Sequence, residues 1–115
     1  MDTLLTVVMI LAGLILIVAG VPMALGRVRR NQWYGYRTSG SLASERVWDI
    51  TNRVAGRWLI GVGAVVIATT ITLNLLAVHT GTASLITAGV LAAGALIAGA
   101  RAWRVELSLT ANRAA

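Results

Sequence analysis

TLLTVVMILAGLILIVAGVPMALG, residues 3–26, runs for 24 residues without a charged side chain. A helix crosses the hydrocarbon core of a bilayer in about 20 residues, so this stretch predicts one span. Residues 59–100 form a second uncharged run of 42, interrupted only by His79, long enough for two spans and a turn. The chain is 57% hydrophobic and 12% charged, where a soluble domain carries about a quarter. The expected fold is an all-α integral membrane protein, a single domain with three transmembrane helices at about 3–26, 59–78 and 83–100. Residues 27–57 would supply a loop and one amphipathic interfacial helix between the first and second spans. A cleaved leader fits the first run poorly. Met1-Asp2 offers no basic n-region, and the arginines follow the run, as in an uncleaved anchor.

Charge sets the expected orientation. Residues 27–57 hold seven arginines against Glu45 and Asp49, and the tail holds Arg101, Arg104 and Arg113 against Glu106. The N-terminus has Asp2 alone, and the turn at His79-Thr80-Gly81 has no arginine. Short basic loops stay on the cytoplasmic side, which predicts N-terminus out, central loop in, hairpin out and C-terminus in. All six aromatic residues (four Trp, two Tyr) fall in or within a turn of the basic segments, where amphipathic rings favour the headgroup zone.

Along the chain, Gly13 and Gly20 stand seven apart beside Ala12 and Ala19, a stripe that permits close helix approach. Pro22 loosens the last turn and Gly26 suits the exit. Ser41 is a good N-cap for a helix from Leu42 to Arg57, lying along the membrane surface and then bending or running on into the second span. On it, Ala43, Val47, Ile50, Val54 and Trp58 make one apolar stripe, and Asp49 precedes Arg53 by the four residues of a helical ion pair. The second span is β-branched and the third is rich in Gly and Ala, a bulky-against-small pairing. Ala95-xxx-Gly99 reads as an intramolecular packing face before a dimer contact.

Several function classes fall away. Without cysteine there is no disulfide, thiolate metal site or cysteine nucleophile, and one histidine makes no metal cage. Without lysine there is no Walker-type phosphate loop. No cofactor is expected. No span carries a charged residue in its middle, which removes most of the weight from a proton-coupled transporter. Asn74 and the nearby threonines would line a polar path, but hydroxyls bonding back to the helix are the commoner explanation, and His79 reads as an exposed turn residue. Glu45 and Asp49 lie beside Arg46 and Arg53, which keep both ionised, so they form a solvated face and not an acid pair. Serines 39, 41 and 44 have no histidine to activate them, and no enzyme is expected. The positive-inside rule accounts for the basic loop without nucleic acid, leaving anionic lipid headgroups at the inner face as its expected partner.

Pro22, then Asn31-x-x-Tyr34-Gly35-Tyr36-Arg37-Thr38, Ser41, Trp48 and Asn52, followed by an apolar hairpin, resembles the SdpI/YfhL family of bacterial membrane proteins over roughly residues 18–100. The resemblance implies a non-enzymatic protein of the bacterial plasma membrane with a toxin-immunity or signalling role. Its partner would be a killing peptide, a regulator held at the membrane, or a second copy of the chain. Accessory subunit of a larger complex and small transporter are the alternative readings. The motif has a physical reading too. Gly35 would allow a tight turn. Arg37 would form a fork with Asp49 or Glu45, or grip a phosphate, at the centre of a small polar pocket. Thr38 and Ser41 would cap the surface helix, with Trp48 and Asn52 on one face of it.

Overall fold

The computed structural model describes residues 2–31 and 33–114, with side chains described as far as residue 111. Gln32 of the motif and the Arg113 side chain of the basic tail lie outside the described residues. Four helices follow in order: α1 Thr3–Ala24, α2 Ser39–Ala43, α3 Glu45–Leu75 and α4 Thr80–Ala114. Three of them, α1, α3 and α4, are long and apolar enough to cross a membrane, and the described residues contain no strand. The molecule measures 55 × 23 × 18 Å. Its long axis exceeds the roughly 30 Å hydrocarbon core, so one end of the bundle stands clear of it.

α3 is the central helix, packing against α1 on one side and α4 on the other. The α1–α3 contact is glycine against glycine. A Cβ added to Gly13 would meet the Gly63 carbonyl at 2.8 Å, and one on Gly63 would meet the Gly13 carbonyl at 2.5 Å. Seven residues along each helix, Gly20 and Gly56 repeat the arrangement, with the added Cβ 2.7 and 2.6 Å from the opposite carbonyl. The small stripe on the first span therefore meets a matching one on the second, allowing backbone-to-backbone contact. At the far end Thr6 and Asn74 exchange hydrogen bonds of 3.0 and 3.2 Å, and Asn74 also donates to the Thr70 carbonyl of its own helix. Thr70, Thr72 and Thr87 bond back one turn, as expected of hydroxyls in an apolar helix.

The α3–α4 contact is bulky against small, with Val62 packed where a Cβ on Gly94 would lie. Ala98 and Ala102 are buried. Ala95 and Gly99 do not make the expected packing face: both are exposed, and a Cβ on Gly99 would meet nothing. The face is rotated by about one residue, onto Gly94, Ala98 and Ala102.

Two expectations about residues 38–57 change. Thr38 and Ser41 cap together as expected, in a reciprocal capping box, but the N-cap of the short α2 is Thr38, with Ser41 as the third residue of the helix and not the cap of one starting at Leu42. Ser44 then caps α3, whose 31 residues run without interruption through the basic segment into the span. The surface helix is thus split: α2 lies between the spans, and residues 45–57 are the first turns of the spanning helix. The apolar stripe also faces the other way. Ala43 and Trp58 are exposed and Ile50 and Val54 half-buried, while Thr51, Asn52, Ala55 and Gly56 join Val47 and Trp48 inside. Thr51 and Asn52 can be buried because each is hydrogen-bonded, Thr51 to the Val47 carbonyl at 2.6 Å and Asn52 to the Tyr36 backbone.

Both helix exits use the same device. Gly26 (φ +69°) ends α1, with Arg27 N–H donating to the Pro22 carbonyl at 2.9 Å and Gly26 N–H to Met23 at 3.1 Å. Ala77 (φ +53°) ends α3, with Val78 donating to Leu73 and Ala77 to Asn74, both at 3.1 Å. Alanine in the left-handed region is strained where glycine is not. Ala77→Gly is expected to stabilise the protein by about 1 kcal/mol, read as a higher melting temperature in detergent.

Candidate functional site

The core cluster that unites the three long helices lies at the basic end of the bundle. Met23 of α1, Ala55 of α3 and Ala102 of α4 meet there, with Tyr36 and Leu59 packed against them. The loop between α1 and α2 closes over this cluster, and successive residues in it attach to different helices.

Asn31 starts the turn. Its Oδ1 accepts from the backbone N–H groups of Trp33 and Tyr34, each at 2.7 Å, and its Nδ2 donates to the Arg29 carbonyl at 2.7 Å. Such an Asx turn redirects the chain without a helix or strand. The Tyr34 hydroxyl then donates to the Ala19 carbonyl of α1. Gly35 adopts φ +108°, where a Cβ would meet Asn52 Oδ1 at 2.5 Å, so only glycine fits between the tyrosines.

Asn52 of α3, 2% exposed, takes the backbone of the next residue in both directions. Its Oδ1 accepts from Tyr36 N–H at 2.7 Å, and its Nδ2 donates to the Tyr36 carbonyl at 3.2 Å and to the Trp48 carbonyl at 2.9 Å. Trp48, one turn earlier and 3% exposed, donates its indole N–H to the Val28 carbonyl at 2.8 Å. The pair shares one helical face, as the spacing predicts, and the face is used to hold the loop at both ends.

The third attachment is to α4. Glu106 is 6% exposed. Its Oε1 accepts from the Thr38 hydroxyl, and its Oε2 from the Tyr36 hydroxyl at 3.4 Å. Gly40 of α2 lies against the same carboxylate, and a Cβ there would come within 3.0 Å of Glu106 Cδ. Ser41 accepts from Thr38 N–H at 2.8 Å and donates toward the Tyr36 and Thr38 carbonyls at 3.1 and 3.2 Å. Burial, followed by the Glu106 charge and its hydrogen bond, pushes the Tyr36 phenol from 10.0 up to about 12. Burial also raises Tyr34.

The chain contains two tyrosines, so the shift is directly measurable. In Tyr34→Phe, ultraviolet titration is expected to show one phenol with a midpoint of about 12. Adding Glu106→Gln should lower it only part of the way, because burial is the larger cause. The raised value adds stability that is fully present below pH 10.0 and is lost as pH rises through about 12. A midpoint at the ordinary value in Tyr34→Phe would sink this account of the site.

The structure therefore brings Tyr34, Gly35, Tyr36, Thr38, Ser41, Trp48 and Asn52 into one hydrogen-bonded cap, with Asn31 forming its entry turn. Arg37 is exposed and does not form the buried centre. Asp49, one of its expected partners, is held by Arg53 at 3.1 Å. Glu106 is the residue that reading the sequence missed. It had a signal: Gly94, Ala98, Ala102 and Glu106 recur at spacings of four, so the carboxylate continues the small-residue face of its helix. Chemically, the polar groups at the centre of this cap bond to one another, and His79 lies at the opposite end of α3. The arrangement holds a shape and presents Trp33 (89% exposed) and Arg37 on its surface.

Comparison with protein families matches residues 27–100 to the SdpI/YfhL protein family. The matched segment contains the loop from residue 27 on, α2, α3 and most of the third span, and it stops six residues before Glu106. Comparison with curated proteins and with solved structures gives no match.

Proposed function

Since the chain belongs to the SdpI/YfhL family of membrane proteins, we propose that it is a non-enzymatic plasma-membrane protein that protects the cell from membrane-active peptides or signals their presence. The observation that carries this reading is the cap itself. Tyr34 bonds to α1, the Tyr36 backbone to α3, and the Tyr36 and Thr38 hydroxyls to α4. A partner bound at the exposed Trp33 and Arg37 would thereby act on all three spans at once. The excess of arginine at this end supports a cytoplasmic orientation, with the N-terminus outside and anionic headgroups around the loop. The chain would work as a single membrane domain over 1–115.

The test is deletion of the gene, challenge with a panel of membrane-active peptides, and complementation. Wild type should restore resistance, and Arg37→Ala should fail to restore it at unchanged protein abundance. Unchanged sensitivity of the deletion strain across a broad panel would count against the reading. Loss of the Arg37→Ala protein itself would reduce Arg37 to a structural role.

One observation favours a second reading, an accessory subunit of a larger complex. A groove of about 290 Å³ runs between α1 and α4 over α3, and Ala19, Ala55, Ala95 and Gly99 leave it shallow enough for another helix. Co-purification of a stoichiometric larger partner in mild detergent would select that reading.

A further inference from the structure

On the other side of the basic end, a depression of about 470 Å³ lies between the 26–30 turn and the first turns of α3. Arg29 and Arg30 line it from the turn, and Glu45 and Asp49 from α3, with Trp48 and Gly26 between them. Its charge is organised before any ligand arrives. Arg30 Nη1 donates to the Leu42 carbonyl at 3.2 Å, which fixes that guanidinium at the rim. Arg53 Nε bonds both Asp49 oxygens at 3.1 and 3.2 Å, which leaves the exposed Glu45 as the less neutralised carboxylate.

The depth of the depression points to its occupant. From Arg53 to Leu75, α3 rises about 33 Å, close to the thickness of a hydrocarbon core. Asp49 and Glu45 then stand about 6 and 12 Å beyond the boundary, on its headgroup side, and Gly26, where the charge-free first run ends, lines the same depression at the boundary itself. A purely anionic headgroup would meet two carboxylates here as well as the arginines. A zwitterion with phosphate and amine at opposite ends matches both. Carboxylates favour a primary ammonium, which donates hydrogen bonds, over a quaternary one, which is ordinarily held by aromatic faces. The Trp48 ring, 3% exposed, presents no such face.

We propose that this depression binds the headgroup of phosphatidylethanolamine, with the phosphate on Arg29 and Arg30 and the ammonium on Glu45. The site is independent of the immunity reading and requires only the membrane location.

The full chain in nanodiscs of equal phosphatidylethanolamine, phosphatidylglycerol and phosphatidylcholine provides the test, with retained lipid read by native mass spectrometry. Phosphatidylethanolamine should be retained roughly tenfold over either competitor, the value of one charge-assisted hydrogen bond. Arg29→Ala with Arg30→Ala should abolish the preference. Glu45→Gln, at an exposed position where the fold is not threatened, should turn it toward phosphatidylglycerol. Equal retention of the three lipids by wild type, or an unchanged preference in Glu45→Gln, overturns the proposal. A second arm adds soluble phosphoethanolamine to lipid-free protein in detergent. A thermal shift with the lipid and none with the soluble compound supports a membrane source. A shift with the soluble compound, without lipid preference in nanodiscs, overturns it.

Discussion

Gly56→Leu is expected to prevent the bundle from assembling. A Cβ at this position meets the Ala24 backbone nitrogen, the Gly20 carbonyl at 2.6 Å and Met23 Cβ at 2.7 Å. Backbone atoms cannot rotate aside, so α1 must separate from α3 along the length set by the two glycine pairs. Overpacking commonly costs about 1–3 kcal/mol, and forcing two whole helices apart raises this to about 3 kcal/mol or more. Gly61→Leu on the same helix is the matched control, because nothing lies within 4 Å of its added Cβ. It should leave stability unchanged or raise it by up to about 1 kcal/mol, because leucine is the better helix former. Melting in detergent, with size-exclusion profiles of both proteins, gives the comparison. Equal stability of the two variants would show that the glycine pairs do not set the helix contact.

Asn52→Ala is expected to release the loop while leaving the three spans packed. It removes the partner of Tyr36 N–H in a half-buried setting, at a cost of about 1–3 kcal/mol, and leaves the Tyr36 carbonyl with its Ser41 Oγ bond alone. The empty space beside Gly35 adds to the loss. Asn52→Asp keeps an acceptor for Tyr36 N–H but turns a buried carboxylate oxygen against the Tyr36 and Trp48 carbonyls, so it should be at least as damaging as Asn52→Ala at neutral pH. Hydrogen exchange at the Tyr36 amide separates local from global effects. Protection there should collapse in Asn52→Ala while the Val66 region of α3, buried between its neighbours, stays protected. Unchanged exchange at Tyr36 would remove Asn52 from the site.

The membrane fold was legible because charge-free length is a one-dimensional property. So were the glycine stripe of α1 and the shared face of Trp48 and Asn52, which follow from helical spacing within one segment. What was not legible depends on which side of a helix meets protein and which meets lipid. The stripe from Ala43 to Trp58 is real, but the loop packs on the neighbouring face of α3, so Thr51 and Asn52 are inside while Ala43 and Trp58 stay exposed. Arg37 drew attention as the charged member of the motif, whereas the buried carboxylate came from Glu106, 68 residues after Thr38. Net-charge counting had merged Glu106 into a basic tail. A carboxylate in phase with Gly94, Ala98 and Ala102 is visible once the face, and not the segment, is the unit of reading.

That separation has a consequence for biosynthesis. The loop leaves the ribosome early, while Glu106 is made near the end of α4. Until then Thr38 and the Tyr36 hydroxyl have no carboxylate to receive their protons, although Asn52 is already available to hold the backbone. Maturation of the cap is therefore stepwise: clamping onto α3 first, locking onto α4 last. A nascent chain carries an unfinished motif until α4 is in place, so completion of the cap reports the insertion of that helix.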